Sequence, residues 1–167
     1  MKVDLIAAGT RMGEAAGLAR QVRDAGWSGI AFAEGGRTAY LSCGVAATEV
    51  PDLDYTTAVA LAFPRSPMTT AGIAWELAEA SGGRFTLGLG SQVRAHIERR
   101  YSSLFDPPMP RMREYVLALR AIFKAFAGEE KLNFQGDYYT FTLFNSQWAP
   151  GRMPYPNIPI FISAVGR

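Results

Sequence analysis

The residues best placed to do chemistry lie in one stretch, Ser81 to Tyr101, which reads SGGRFTLGLGSQVRAHIERRY. Ser81-Gly82-Gly83 is a helix stop, because glycine takes the left-handed backbone that a helix C-terminus needs. Arg84 to Leu89 is short and mostly apolar, the composition of a strand covered on both faces. Gly88 and Gly90 then let a ligand or another backbone come close as the strand ends. In α/β folds ligands bind at the C-terminal ends of the strands, so this turn is the first place to look for function.

Common nucleotide and hydrolase signatures do not fit the turn. The third glycine of G-x-G-x-x-G would fall on Val93, and the strand stands fourth in order where the dinucleotide fingerprint needs the first. No Gly-Lys-Ser/Thr follows it, and Ser91 is not in a G-x-S-x-G elbow. Taken from the residues alone, Gly88-Leu89-Gly90 serves close packing or a ligand, and both readings stay open.

His96 is the single histidine, which excludes a His-based metal site, and no cysteine or carboxylate cluster replaces one. Between Arg94 and Arg99 it reads as a proton donor or phosphate contact, or else as a surface or helix-capping residue. Glu34 ends a second strand, where a carboxylate orients a substrate or accepts its proton, or merely caps the Gly35-Gly36 turn and pairs with Arg37. Arg94, Arg99, Arg100, Arg111 and Arg113, with Glu98 and Glu114 interleaved, form either a funnel for an anionic group or solvated helix faces and a subunit interface. Tyr138, Tyr139, Phe141, Phe144 and Trp148 crowd one segment, enough aromatic surface to line an apolar pocket or to cover one end of the fold.

The elements that position these residues alternate. Strands are predicted at Val3 to Ala8, Gly29 to Ala33, Tyr55 to Ala62, Arg84 to Leu89 and Ile158 to Ala164. Helices are predicted at Glu14 to Ala25, Thr38 to Ala47 and Met68 to Ala80, the last with Ser66 as N-cap and Pro67 at its first position. After Pro107-Pro108-Met109-Pro110 comes the best-patterned helix, in which Met112, Tyr115, Val116, Leu119, Ile122, Phe123 and Phe126 share one face. Lys131 to Leu143 is predicted to be a hairpin centred on Gly136-Asp137. The alternation predicts a parallel α/β sheet, open or closed into a barrel.

At 167 residues and 49% hydrophobic content, the chain suits a single domain spanning residues 1–167. A net charge of +2 is too small to imply a nucleic-acid partner, and one cysteine, Cys43, cannot form an internal disulfide. No run approaches the ~20 apolar residues of a membrane span. The expectation is a cytoplasmic protein with a small-molecule substrate, without nucleic-acid or membrane partners.

The Ser81-to-Tyr101 stretch also resembles the luciferase-like flavin and deazaflavin oxidoreductases, whose members carry an SGGRF-x-LGLG segment at the fourth strand of a TIM barrel. The likeness continues in register through Arg65-Ser66-Pro67-Met68, Ala95-His96-Ile97-Glu98-Arg99-Arg100 and Pro110-Arg111-Met112-Arg113-Glu114-Tyr115. It runs on through residues 132–140 and 158–164, and is weakest over Gly9 to Val50.

The resemblance implies a TIM (β/α)8 barrel, of which this chain covers about the first half: four strand–helix units plus a fifth strand. Such a barrel typically takes ~250 residues. The chain is accordingly expected to be the N-terminal part of a longer protein. The implied activity is hydride transfer or monooxygenation with coenzyme F420 or FMN, F420 being favoured by the Ala95–Arg100 and Pro110–Arg113 wording. Implied cofactor contacts are Ala60, Ala62 and Phe63, near a non-prolyl cis peptide common in relatives, then Gly90, Ser91, Gln92 and Arg94, then Ser163 and Ala164 ahead of Val165-Gly166. His96 and Glu34 are the implied catalytic groups, and homodimerisation is common among relatives. Two alternatives stand beside this reading: a truncated, non-catalytic fragment, and a half-barrel that assembles with a second copy of itself.

Overall fold

The computed structural model describes residues 1–164, so Val165 and Gly166 lie outside the described residues. In chain order the elements are β1 (Asp4–Ala8), α1 (Met12–Asp24), β2 (Gly29–Ala33), α2 (Ala39–Glu49), β3 (Asp54–Thr57), β4 (Ala60–Leu61), α3 (Pro67–Ala80) and β5 (Phe85–Gly90). There follow α4 (Arg94–Arg99), α5 (Pro108–Ala127), β6 (Phe134–Gln135), β7 (Thr140–Phe141), a 3-10 turn at Ser146–Trp148 and β8 (Ile160–Ile162). The chain forms two compact units: one holds Met1–Ala60, Glu76–Gly90 and the segment from Ile158, the other Leu61–Trp75 and Ser91–Asn157.

The first unit is built on parallel strands. β1 pairs β2, β2 pairs β3, β3 pairs β5, and β8 pairs β5, all parallel. Among β1, β2, β3, β5 and β8 spatial order follows chain order, as in a (β/α)8 barrel, with the two-residue β4 set beside β5 out of sequence; a doubly wound sheet reverses direction at a switch point. The register sets Ala8 beside Ala33, Phe32 beside Thr57, and Leu89 beside Ile162.

The helices of this unit carry small residues where they meet the core. α1 buries Ala15, Ala19 and Val22, and α2 buries Ala39, Tyr40, Ser42, Cys43, Ala46 and Ala47. Gly26, at φ +74, takes the left-handed position just past α1.

Two expectations change here. The single strand expected over Tyr55 to Ala62 is divided into β3 and β4, with a cis peptide between Ala58 and Val59. The strand expected over Ile158 to Ala164 is shortened to β8, and its apolar side chains stand exposed: Phe161 is 61% and Ile162 50% exposed, as Ile6 on β1 is at 70%. Among the described residues β1 has one partner strand and β8 one, so their apolar side chains lack the neighbours that bury β2 and β5.

The second unit is organised by α5, which buries Met112, Tyr115, Ala118, Leu119, Ile122, Phe123 and Phe126 on one face. Trp75 packs on Phe123 and edge-on to Phe126, and its indole N–H donates to the Gly151 carbonyl at 3.1 Å. Thr70 and Tyr115 share a buried hydroxyl–hydroxyl hydrogen bond of 2.5 Å. Ser66 caps α3 by accepting the Met68 N–H at 3.1 Å. α5 starts at Pro108 with Pro107 as N-cap; first-turn N–H groups have no intrahelical acceptor, so the prolines there sacrifice nothing. The expected hairpin is present, with Phe134 opposite Phe141 and Gln135 opposite Thr140.

Candidate functional site

Because the strands of the first unit are parallel, their C-terminal ends share one edge of the sheet. That edge carries Glu34 immediately after β2, the Ala58–Val59 peptide after β3, Gly90 as the last residue of β5, and Ser163-Ala164 directly after β8. The structure therefore brings Gly90 and Ser163 together. The Ser163 N–H donates to the Leu89 carbonyl at 2.8 Å, and a Cβ on Gly90 would lie 2.6 Å from Val59 Cγ2 and 3.8 Å from Ser163 Cβ.

The two glycines of the turn have different neighbours. A Cβ on Gly88 would overlap the Thr57 carbonyl oxygen, so backbone meets backbone at that position. The Thr57 hydroxyl donates to the Gly88 carbonyl at 2.7 Å and accepts from the Gly88 N–H at 2.9 Å. Gly90 instead abuts the Val59 side chain. The cis peptide expected near Ala60 to Phe63 lies slightly earlier, at Ala58–Val59.

Along this edge Ala60 is fully buried, Glu34 half-buried, and Ser163 and Ala164 exposed. The loop after Glu34 closes through the Gly35 N–H, which donates to the Arg37 carbonyl at 3.2 Å. On α2, burial pushes the Cys43 thiol well above its ordinary range. Burial does the same to the Tyr55 phenol, whose O–H points at the Ala46 and Val50 carbonyls.

The second unit carries the remaining candidates. Ala62 and Phe63 are buried; the Phe63 ring meets Phe105 edge-on at 6.0 Å, and its carbonyl accepts from Ser103 Oγ at 2.7 Å. Gln92 adopts a left-handed backbone at φ +60, and its Oε1 accepts the Val93 N–H at 2.9 Å. Ser91 Oγ donates to the Gln92 carbonyl at 3.1 Å.

The Arg94 guanidinium is forked onto the Asp106 carboxylate, also reaches Glu98 at 3.2 Å, and lies over the Phe105 ring. The hydrogen bonds it donates to Asp106 raise its pKa further. His96 is exposed on α4, where its carbonyl accepts from the Arg100 and Tyr101 N–H groups.

The basic and aromatic clusters of the sequence divide. Arg100 lies over Tyr101 and Arg111 over Tyr138, while Arg99 and Arg113 are exposed. Tyr139 packs edge-on to Tyr115 and stacks on Phe141; burial raises its pKa, with Arg111 opposing. Phe144 and Trp148 line a separate cleft of about 400 Å³ with Met68, Leu143 and Asn145.

Sequence reasoning missed Thr57, Val59 and Asp106. Thr57 and Val59 act across strands, and Asp106 acts twelve positions away from Arg94, so no local spacing announces any of them. Among the described residues no group of three or more His, Cys, Asp or Glu is arranged to hold a metal ion. No helix among them is long and apolar enough to cross a membrane.

The parallel strands β1, β2, β3, β5 and β8 in sequential order, with small residues and glycine at their C-terminal ends, define an α/β fold of the TIM-barrel class. The chain belongs to the luciferase-like monooxygenase family, whose model matches residues 2–167. It is 41% identical over 152 residues to an uncharacterized protein of Mycobacterium tuberculosis, covering 91% of this chain and 44% of that protein. The chain thus spans about half the length of the curated relatives it matches.

Two of the solved structures that share the fold illustrate it. The coenzyme F420-dependent tetrahydromethanopterin reductase of Methanopyrus kandleri superposes with a TM-score of 0.78 at 17% identity, over 99% of this chain and 50% of that one. The FMN complex of the oxygenating constituent of 3,6-diketocamphane monooxygenase from Pseudomonas putida gives 0.77 at 16% identity, over 97% and 51%.

Proposed function

We propose that this chain contributes the cofactor-binding strand ends of an oxidoreductase that uses coenzyme F420, in preference to FMN, on a small organic substrate. The observation that carries this reading is the shared C-terminal edge of β2, β3, β5 and β8, which carries Glu34 after β2 and sets Val59, Gly90 and Ser163 side by side. Parallel α/β sheets bind ligands at that edge. The edge suits a flat ring at Ser163 and Ala164, which are small and exposed, with Val59 filling the space beside Gly90. The bound cofactor would supply hydride transfer or oxygen activation; the protein binds and orients it.

Within the first unit, Ala60, Gly90, Ser163 and Ala164 are the proposed cofactor contacts, with Glu34 as the carboxylate that positions or deprotonates substrate. Ala60 is buried, so its part would be played by its backbone. Within the second unit, Ala62, Phe63, Ser91, Gln92 and Arg94 are proposed for the cofactor and His96 as proton donor. Arg94 would meet an anionic group only in competition with Asp106 and Glu98. We further propose that residues 1–167 fold as one partial barrel domain of a cytoplasmic protein.

Titration of the protein from its native source with F420 and with FMN, followed by the cofactors' own absorbance and fluorescence, tests this reading. Saturable binding of F420 with weaker binding of FMN supports it. Tight FMN binding without F420 binding reverses the cofactor order, and binding of neither overturns the reading.

A second reading, self-association of the chain, is favoured by the exposure of Ile6 on β1 and of Phe161 and Ile162 on β8. Sedimentation of the isolated chain separates the two: a monomer at micromolar concentration removes the second reading.

A further inference from the structure

We infer that the cleft lined by Met68, Leu143, Phe144, Asn145 and Trp148 is a binding site for an apolar small molecule that carries a single hydrogen-bond acceptor, such as a ketone. The cleft measures about 400 Å³, at the small end of the range for ligand pockets, and takes roughly ten to fifteen non-hydrogen atoms. Four of its five lining residues are apolar.

Two of those apolar residues stand in water. Leu143 is 86% and Trp148 82% exposed, an unfavourable placement for large side chains unless something covers them. The backbone that carries Trp148 is held by hydrogen bonds of the turn. The Asn145 carbonyl accepts the Trp148 N–H at 3.2 Å, and Asn145 Oδ1 accepts the Gln147 N–H at 3.1 Å.

These bonds also decide the chemistry of the polar end. With one lone pair of Oδ1 engaged by a backbone donor, the amide orientation of Asn145 is assigned, and its N–H2 group offers a ligand two donors against one acceptor site left on the oxygen. A donor among apolar walls selects an acceptor: a carbonyl oxygen suits it, a hydrocarbon leaves it unpaired, and an ammonium group repels it.

That the cleft receives the substrate of the redox reaction rests on the proposed function; that it binds such molecules does not. The test therefore omits cofactor. Uniformly ¹⁵N-labelled protein is titrated with butyrophenone and, separately, with butylbenzene, which lacks the carbonyl. The expected result is a saturable shift of the Trp148 indole and Asn145 side-chain amide signals with butyrophenone, while the Trp27 indole stays in place.

Butylbenzene is expected to move Trp148 only, with about fivefold weaker binding. Asn145→Ala is expected to erase that preference while both compounds still bind. The inference is overturned if butyrophenone gives no saturable shift up to its solubility limit, or if Asn145→Ala leaves the preference intact. It is also overturned if the Trp148 signal moves with protein concentration alone, which would mark a contact between copies. Ketone binding without any F420 or FMN binding would leave the cleft standing and remove only the redox reading.

Discussion

The Thr57 hydroxyl holds both backbone groups of Gly88, donating to its carbonyl at 2.7 Å and accepting from its N–H at 2.9 Å. Main-chain pairing between β3 and β5 runs through Tyr55–Phe85 and Thr56–Thr86. Beyond it, where the chain turns at Ala58–Val59, one side chain continues the ladder. The hydroxyl is fully buried, so neither partner has water as a substitute.

Thr57→Val keeps the shape and removes both bonds, leaving the Gly88 N–H and carbonyl buried without a partner. The expected loss is about 2 kcal/mol in chemical denaturation. Thr57→Ser, which keeps the hydroxyl, is expected to retain more than half of that stability.

Gly88 and Gly90 are expected to respond differently to alanine. At Gly88 the new methyl meets the Thr57 backbone carbonyl, which cannot move without displacing β3, and a loss of about 3 kcal/mol or more is expected. At Gly90 it meets the Val59 side chain, so Val59→Ala in the same protein should recover part of the loss. A double-mutant cycle with coupling near zero would contradict this contact.

Glu114 on α5 accepts the N–H groups of Asp137, Tyr138 and Tyr139 at 2.9, 2.8 and 2.6 Å, and its carboxylate fills the space a Gly136 side chain would need. Glu114→Ala is expected to cost about 2 kcal/mol and to speed amide exchange at residues 137–139 in particular. Gly136→Ala should produce the same local exchange signature.

Burial holds the Cys43 thiol above its ordinary 9.0 and, aided by Asp52, the Tyr55 phenol above its ordinary 10.0. Both groups keep their protons in the folded state while the unfolded chain ionises. Their stabilisation is whole below pH 9 and is lost as pH rises: about 1.4 kcal/mol per unit once the unfolded thiol titrates, more once the phenol joins it. Cys43→Ala should reduce the slope between pH 9 and 10, measured by urea denaturation. The native thiol should also resist Ellman's reagent at pH 8 and react in denaturant.

His96→Gln separates the proposed proton donor from a surface residue. In the proposed oxidoreductase, turnover is expected to fall by about a hundredfold with cofactor affinity unchanged. Unchanged turnover would return His96 to the exposed face of α4, with no part in the chemistry.

Much of the architecture was legible in the sequence because it is written in local terms. The alternation of short apolar runs with helical spacing, the Ser66-Pro67 start of α3 and the α5 face from Met112 to Phe126 are near-neighbour patterns, and each appears where the sequence placed it. The pattern left an open sheet and a barrel as equals; the sequential order of β1, β2, β3, β5 and β8 decided between them. The interruption after Thr57 and the exposure of β8 were not legible, since both depend on what lies beside a strand and not on its own residues.

The candidate site divides in the same way. From its residues alone, the chain determined that glycine and small polar groups stand at the ends of parallel strands, because residue type and strand period suffice to say so. Only the tertiary structure decided that Gly88 faces a backbone and Gly90 a side chain, that Arg94 is held by Asp106, and that Trp148 parts from Tyr139 to line a different cleft. These are contacts between residues distant in the chain. Their partners are chosen by packing and hydrogen-bond satisfaction in three dimensions, for which one-dimensional spacing holds no record.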